Sequence, residues 1–240
     1  MKLKNSYTVI SYFLLMATTP ALAQVKAVST TEKSKMEHTK AEGFNKHEKE
    51  IILFGDKHSK LHVYQTTDKS ELKVLKNVSL DIHHADPLLP ILKARMLLTV
   101  QDPAHSGVGI AAPQIGINRN IIWVQRFDKN DDPFECYINP KIIWKSQLIR
   151  LGTEGCLSIP DRKESIRRSY AIRIQYQDKE GQVIEENIEG FTAVIFQHEI
   201  DHLNGILYPD RLDEEVSAGY IELNEKIPFS LQIQKKTILP

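Results

Sequence analysis

Leu88, Leu92, Met96 and Val100 recur at four-residue steps through "DPLLPILKARMLLTV", with Leu89 and Leu97 beside them, and this single apolar stripe predicts a core helix over residues 86–100. The period then shortens. "NIIWVQRF" and "CYINPKIIW" are rich in Ile, Trp, Val and Tyr and read as strands. "YAIRIQYQ" alternates Ile172, Ile174 and Tyr176 with Arg173, Gln175 and Gln177, the pattern of a half-buried strand. Asp-Lys-Glu-Gly at 178–181 turns the chain back through "QVIEENI" as a hairpin. Residues 191–204 hold neither Gly nor Pro, and Gly205 follows at a C-cap position, so a last helix closes the series. Strands flanked by an early and a late helix give an α+β class, with mixed or antiparallel sheets wrapped around the late helix.

Before residue 80 the pattern is weaker. Residues 24–50 are rich in Lys, Glu, Ser and Thr, nearly lack large apolar side chains, and read as a flexible linker that cannot bury enough surface to offset its ordering entropy. From 51 to 80 the short groups "IILF", "LHVY" and "LKVL" alternate with charge, as in irregular structure or edge strands. The first residues differ from both. Lys2 and Lys4 precede an apolar stretch centred on Val9–Met16, then Pro20 and Ala21-Leu22-Ala23, the order of a secretory signal cleaved before Gln24. No twin arginine precedes that stretch and no cysteine follows Ala23, so a soluble exported product with no membrane span after cleavage is expected. The resulting plan is a signal peptide over 1–23, a charged leader over 24–70, a catalytic domain over 71–212 and a tail over 213–240.

Lys+Arg and Asp+Glu both number 31, which leaves no global field to attract nucleic acid. Two cysteines, Cys136 and Cys156, are too few for a disulfide framework.

The chemistry centres on "FQHEIDHLNG". At about 100° per residue, His198 and His202 share one helix face with Phe191, Val194 and Ile195, which suits a metal flanked by an apolar pocket. Buried core histidines are the alternative, but Glu199 beside such a stripe is costly without a metal or a proton to serve. Two imidazoles need a third protein ligand. Position 208 is Tyr, so the metzincin completion H-E-x-x-H-x-x-G-x-x-H fails. A thermolysin-like protease would draw a glutamate from Glu214, Glu215, Glu222 or Glu225, in a tail without a clear apolar stripe. Upstream, Cys156 lies in the Gly-containing bend "GTEGCLSIP" and offers a thiolate, giving a Cys-His-His set with a fourth position open for water.

Together "GVGIAAPQ", "EGCLS" and "HEIDH" resemble, in order and separation, the three motifs of the peptide deformylases, and the resemblance covers roughly residues 72–212. It implies hydrolysis of the formyl group from N-formylmethionyl peptides with release of formate, at one divalent metal held by Cys156, His198 and His202. By the same resemblance Glu199 is the general base and then acid, and Gln114 and the backbone N–H of Leu157 are donors to the developing oxyanion. Gly107, Gly109 and Ile110 match the stretch that pairs with the peptide as an added strand, and Phe191, Val194 and Ile195 match the methionine pocket. Glu154 and Arg168 match an ion pair bracing the second motif, while Asp201 is a capping or outer-shell group. A monomer is expected. A metal- or peptide-binding module without activity is the non-enzymatic alternative, and retention of Glu199 and Gln114, neither a metal ligand, argues against it. Family members in the cytoplasm commonly hold Fe2+; in an oxidising compartment Zn2+, which has no redox chemistry, is favoured.

Overall fold

The computed structural model describes residues 41–217, 219–223 and 228–232. The expected export signal, the first part of the leader and the remainder of the tail lie outside these residues. Every ladder between the described strands is antiparallel, which narrows the mixed-sheet expectation; among the described residues two isolated bridges, Glu42 with Ile82 and Leu80 with Arg119, run parallel.

The first sheet orders β1 (Gly109–Ala111), β2 (Ile121–Gln125), β3 (Phe134–Lys145), β6 (Ala171–Gln177) and β7 (Val183–Glu189). The second orders β5 (Ile159–Ser169), β4 (Leu148–Cys156), β9 (Phe229–Gln232) and β8 (Tyr220–Glu222). Alternation in β6 works as the sequence predicts: Ile172 and Ile174 are fully buried while Arg173 faces solvent. The hairpin to β7 closes at Gly181, whose φ of 80° is the left-handed conformation that glycine adopts without strain. Asp178 caps that turn, its Oδ1 accepting the N–H of Gln182 at 2.8 Å.

Two helices cover the first sheet. Leu92, Met96 and Val100 of α3 (Leu89–Val100) are wholly buried in one core cluster with Ile110, Ile115 and Ile121. The late helix α4 (Gly190–Leu203) buries Ala193, Ile195, Phe196 and Ile200 against Ile122, Val124, Tyr137 and Ile174 in a second cluster. Gln197 ties α4 to the end of β5: its Oε1 accepts the Ser169 N–H at 3.1 Å and its Nε2 donates to the Ser169 carbonyl at 2.8 Å.

The leader is where sequence and structure part. Residues 45–50, expected within a flexible linker, begin α1 (Lys46–Leu53), and "IILF" carries its last turn rather than an edge strand. A capping box starts the helix. Asn45 Oδ1 accepts the Glu48 N–H at 2.9 Å, and Glu48 Oε2 accepts the Asn45 N–H at 2.7 Å. Few apolar residues suffice here because Phe44 and Ile52 are buried in the α3 core cluster and Glu48 pairs with buried Arg119 at 2.9 Å. Arg95 of α3 satisfies the other end, donating to the carbonyls of Ile52 at 2.9 Å and Phe54 at 3.0 Å. "LKVL" lies in α2 (Lys69–Leu75), and "LHVY" forms no strand, its Tyr64 N–H reaching the Gln114 carbonyl at 2.7 Å. Asn45→Ala should therefore lower unfolding stability by about 1 kcal/mol, seen as a shifted denaturant midpoint at unchanged slope. No shift would return residues 45–53 to the status of a loose leader.

Candidate active site

β4 and β5 bring Cys156, Glu154 and Arg168 to the part of α4 that carries His198 and His202. Cys156 Sγ lies 3.3 Å from His202 Nε2, and one ligand atom each from Cys156, His198 and His202 falls within 4.8 Å of the others. These are the three residues expected from the sequence. Of the competing glutamates, Glu222 is exposed and pairs with Arg167; Glu214, Glu215 and Glu225 lie among side chains outside the description.

Glu154 sets the state of His198. Its carboxylate takes Arg168 Nε at 2.7 Å and Arg168 Nη2 at 2.9 Å, and Oε2 lies 2.9 Å from His198 Nδ1. Burial raises the Glu154 pKa, but Arg168 and then His198 outweigh it and hold the group at about 2. An ionised carboxylate only accepts, so Nδ1 keeps its proton and Nε2 is the nitrogen that a metal would claim, displacing any proton held there. Asp201 is not one of the three converging ligand groups. It joins Arg168, and Arg211 Nε at 3.0 Å, so it anchors α4 to β5 and to α5 (Tyr208–Ser217). Arg168 and both carboxylates of this network are buried.

Burial opposes ionisation of the Cys156 thiol, yet His202 and His198 hold its pKa well below the usual value, and the thiolate is the form that binds metal. His198 moves the other way: burial lowers its pKa, but Cys156 and Glu154 push it well above the usual value. Cys136, packed in the core on β3, is pushed up to about 12 by burial, and both cysteines are free. Two imidazoles and one thiolate converging in a buried corner suit a divalent ion of borderline softness. Glu199 sits beside them, buried, with Oε2 lacking any hydrogen-bond partner among the described residues and its pKa raised to about 7, chiefly by burial.

The cleft in front of this corner has a volume of about 370 Å³. Gly107, Gly109, Gln114, Glu154, Leu157, Phe191, Val194, Ile195, His198 and Glu199, all expected from sequence, line it with Cys156. Ile110 does not. Its side chain is fully buried in the α3 core cluster, because all three residues of β1 are covered. Gly109 has a reason the sequence did not suggest: a Cβ there would come 2.5 Å from Glu199 Oε1, so the glycine makes room for the carboxylate. Gln114 is aimed by its own turn. Its Oε1 accepts the Ala111 N–H at 2.8 Å, which leaves Nε2 directed to Cys156 Sγ at 3.4 Å and Ser158 Oγ at 3.2 Å. Val108 and Thr153 also line the cleft and were missed. Val108 stands between two glycines already singled out, and that was signal enough.

Residues 61–218 match the family model of polypeptide deformylases. The chain is 38% identical over 144 residues to the peptide deformylase of Caulobacter sp. (strain K31), which spans 60% of this chain and 82% of that one. It is 36% identical over 164 residues to that of Synechocystis sp., spanning 68% and 86%. Among solved structures, the Acinetobacter baumannii class I type b peptide deformylase bound to Met-Ala-Ser superposes with a TM-score of 0.56 at 33% identity, covering 63% of this chain and 98% of that one. The Thermotoga maritima peptide deformylase gives the same TM-score at 34% identity, covering 63% and 97%. With motifs, metal corner and fold in agreement, the chain belongs to the peptide deformylase family, metal-dependent hydrolases that remove the N-formyl group from peptides.

Proposed function

We propose that this chain hydrolyses N-formylmethionyl peptides at a metal held by Cys156, His198 and His202, with Glu199 moving the proton. The observation that carries this reading is the convergence of those three ligands beside a buried, unpartnered Glu199 carboxylate at the end of an apolar cleft. A divalent ion bound there supplies a Lewis acid that makes water nucleophilic near neutral pH. The side chains do the rest. Glu199 takes a proton from the attacking water as its oxygen bonds to the formyl carbon. Gln114 Nε2 and the Leu157 N–H donate to the formyl oxygen as negative charge grows on it. The C–N bond then breaks, Glu199 returns the proton to the amine nitrogen, and formate and a free α-amino group leave. Phe191, Val194 and Ile195 hold the unbranched thioether, and the open edge of β1 receives the peptide backbone as an added strand.

The test is formate release from formyl-Met, formyl-norleucine and acetyl-Met peptides. Formyl-norleucine should follow formyl-Met, since both side chains are unbranched, and acetyl-Met should turn over at least about a hundredfold more slowly because its extra methyl crowds the reacting carbon. Comparable rates on acetyl-Met would remove the formyl specificity.

The address and the metal belong to the same proposal. The lysines, apolar stretch and Ala21-Leu22-Ala23 support export with cleavage before Gln24. No helix among the described residues is long and apolar enough to cross a membrane. A chain loaded outside the cytoplasm is served better by Zn2+ than by Fe2+, whose oxidation also endangers the thiolate ligand. Mass spectrometry of the N-terminus and elemental analysis of protein purified anaerobically from its own compartment decide both points. An intact Met1 on the abundant species would refute export, and predominant iron would refute the choice of zinc.

A further inference from the structure

Cys156 ends β4 and Ile159 opens β5 opposite it, so Leu157 and Ser158 form the turn between the two strands. Turns this short match the twist of their strands when a central residue takes a positive φ, and neither Leu157 nor Ser158 is among the positive-φ positions. The ladder behind the turn gives it little support, because the register slips between Glu154 and Cys156. Yet this turn carries the Leu157 N–H, one of the two donors to the formyl oxygen. Such a donor stabilises developing charge only when it is aimed in advance, so the turn has to be held from outside the hairpin.

Three consecutive residues, Tyr64, Gln65 and Thr66, hold it. Gln65 Nε2 donates to the Leu157 carbonyl and to the Val63 carbonyl, both at 3.0 Å, which engages both hydrogens of the amide and fixes the side chain. The Thr66 N–H donates to the Ser158 carbonyl at 2.9 Å, so both carbonyls of the turn are held by one segment. The same segment reaches the second donor: the Tyr64 N–H donates to the Gln114 carbonyl at 2.7 Å, and Gln114 Nε2 meets Ser158 Oγ at 3.2 Å. The segment is anchored in turn. The Gln65 N–H donates to Glu71 Oε2 of α2 at 2.6 Å, the Leu61 N–H to Thr99 Oγ1 of α3 at 2.8 Å, and Lys60 pairs with Asp102. Backbone donors at 64 and 66 serve with almost any side chain, whereas the bond to Leu157 depends on the residue at 65.

Resting on the deformylase reading of the cleft, we propose that Gln65 is a positioning residue for the oxyanion site, its amide holding the Leu157 carbonyl so that the N–H of that residue meets the formyl oxygen together with Gln114 Nε2. Gln65 is not one of the converging metal ligands and acts through Leu157.

The experiment compares metal-replete wild type, Gln65→Leu, Gln65→Asn and Lys60→Met for kcat and KM on formyl-Met-Ala, for metal content, and for affinity toward the product Met-Ala, which has no formyl oxygen. Loss of an oxyanion donor costs about 10²–10³ in kcat and loss of its aim costs less, so Gln65→Leu should lower kcat about tenfold with KM, metal content and Met-Ala affinity within about twofold of wild type. Gln65→Asn, whose shorter amide cannot span both carbonyls, should lower kcat in the same way and carries the test if the leucine variant does not fold. Lys60→Met loosens the segment without touching the turn and should keep kcat within about twofold. Wild-type kcat in the folded Gln65 variants, a matching fall in Met-Ala affinity or metal content, or an equal loss in Lys60→Met overturns the proposal. Wild-type protein inactive on formyl-Met-Ala would instead refute the deformylase reading itself.

Discussion

Replacing Glu199 by alanine is expected to leave the metal in place and to lower turnover at least about a hundredfold, the usual contribution of a positioned general acid–base. The separation of the two effects follows from geometry. The three converging ligand groups are Cys156, His198 and His202, and Glu199 is not one of them. It is buried against Gly109 and has one oxygen with no partner among the described residues, so removing it takes away a proton carrier and leaves the ligands standing. The check is a metal assay on the same sample used for kinetics. A metal-replete variant with near-normal kcat would transfer the proton-moving role to another group.

Glu154→Ala should act through the opposite channel. This carboxylate accepts from Arg168 through two nitrogens and from His198 Nδ1, and all three residues are largely shielded from water. Its loss leaves the Arg168 guanidinium with Asp201 as its remaining carboxylate, and removing one partner of a buried pair costs about 3–5 kcal/mol, here toward the lower figure. His198 also loses the acceptor that fixes its tautomer, so metal affinity should fall about 10–100-fold. Thermal or denaturant unfolding of the metal-free protein reads the first effect, and metal titration of folded protein reads the second. Unchanged metal affinity with lowered stability would confine Glu154 to bracing β4 against β5.

The catalytic corner was legible because its chemistry is carried by residue types in fixed local strings. His198, Glu199 and His202 declare their own helix and face, and the late helix, the α3 stripe and the β6–β7 hairpin each show one clean period. What escaped depended on partners distant in sequence. Nothing in "GFNKHEKE" reveals that Glu48 will meet Arg119 or that Arg95 will receive the carbonyls at the end of α1, so a helix with a single fully buried apolar residue, Ile52, reads as a linker. Asp201 was equally opaque, since its partners Arg168 and Arg211 lie on a strand and a helix that only the fold brings together. Ile110 shows a limit of another kind. A three-residue strand covered on both sides has no solvent face to read, so its place in the motif said nothing about where its side chain would go.

The central claim joins one metal, held by Cys156, His198 and His202, to formate production. It is tested most directly by stripping the protein with a chelator and titrating a divalent metal back while following formate release from a formyl-Met peptide. The expected result is no turnover in the stripped, folded protein and full recovery at one ion per chain, with Cys156→Ser failing to retain the ion after dialysis. Turnover by stripped protein, or one bound ion without any formate, would contradict it.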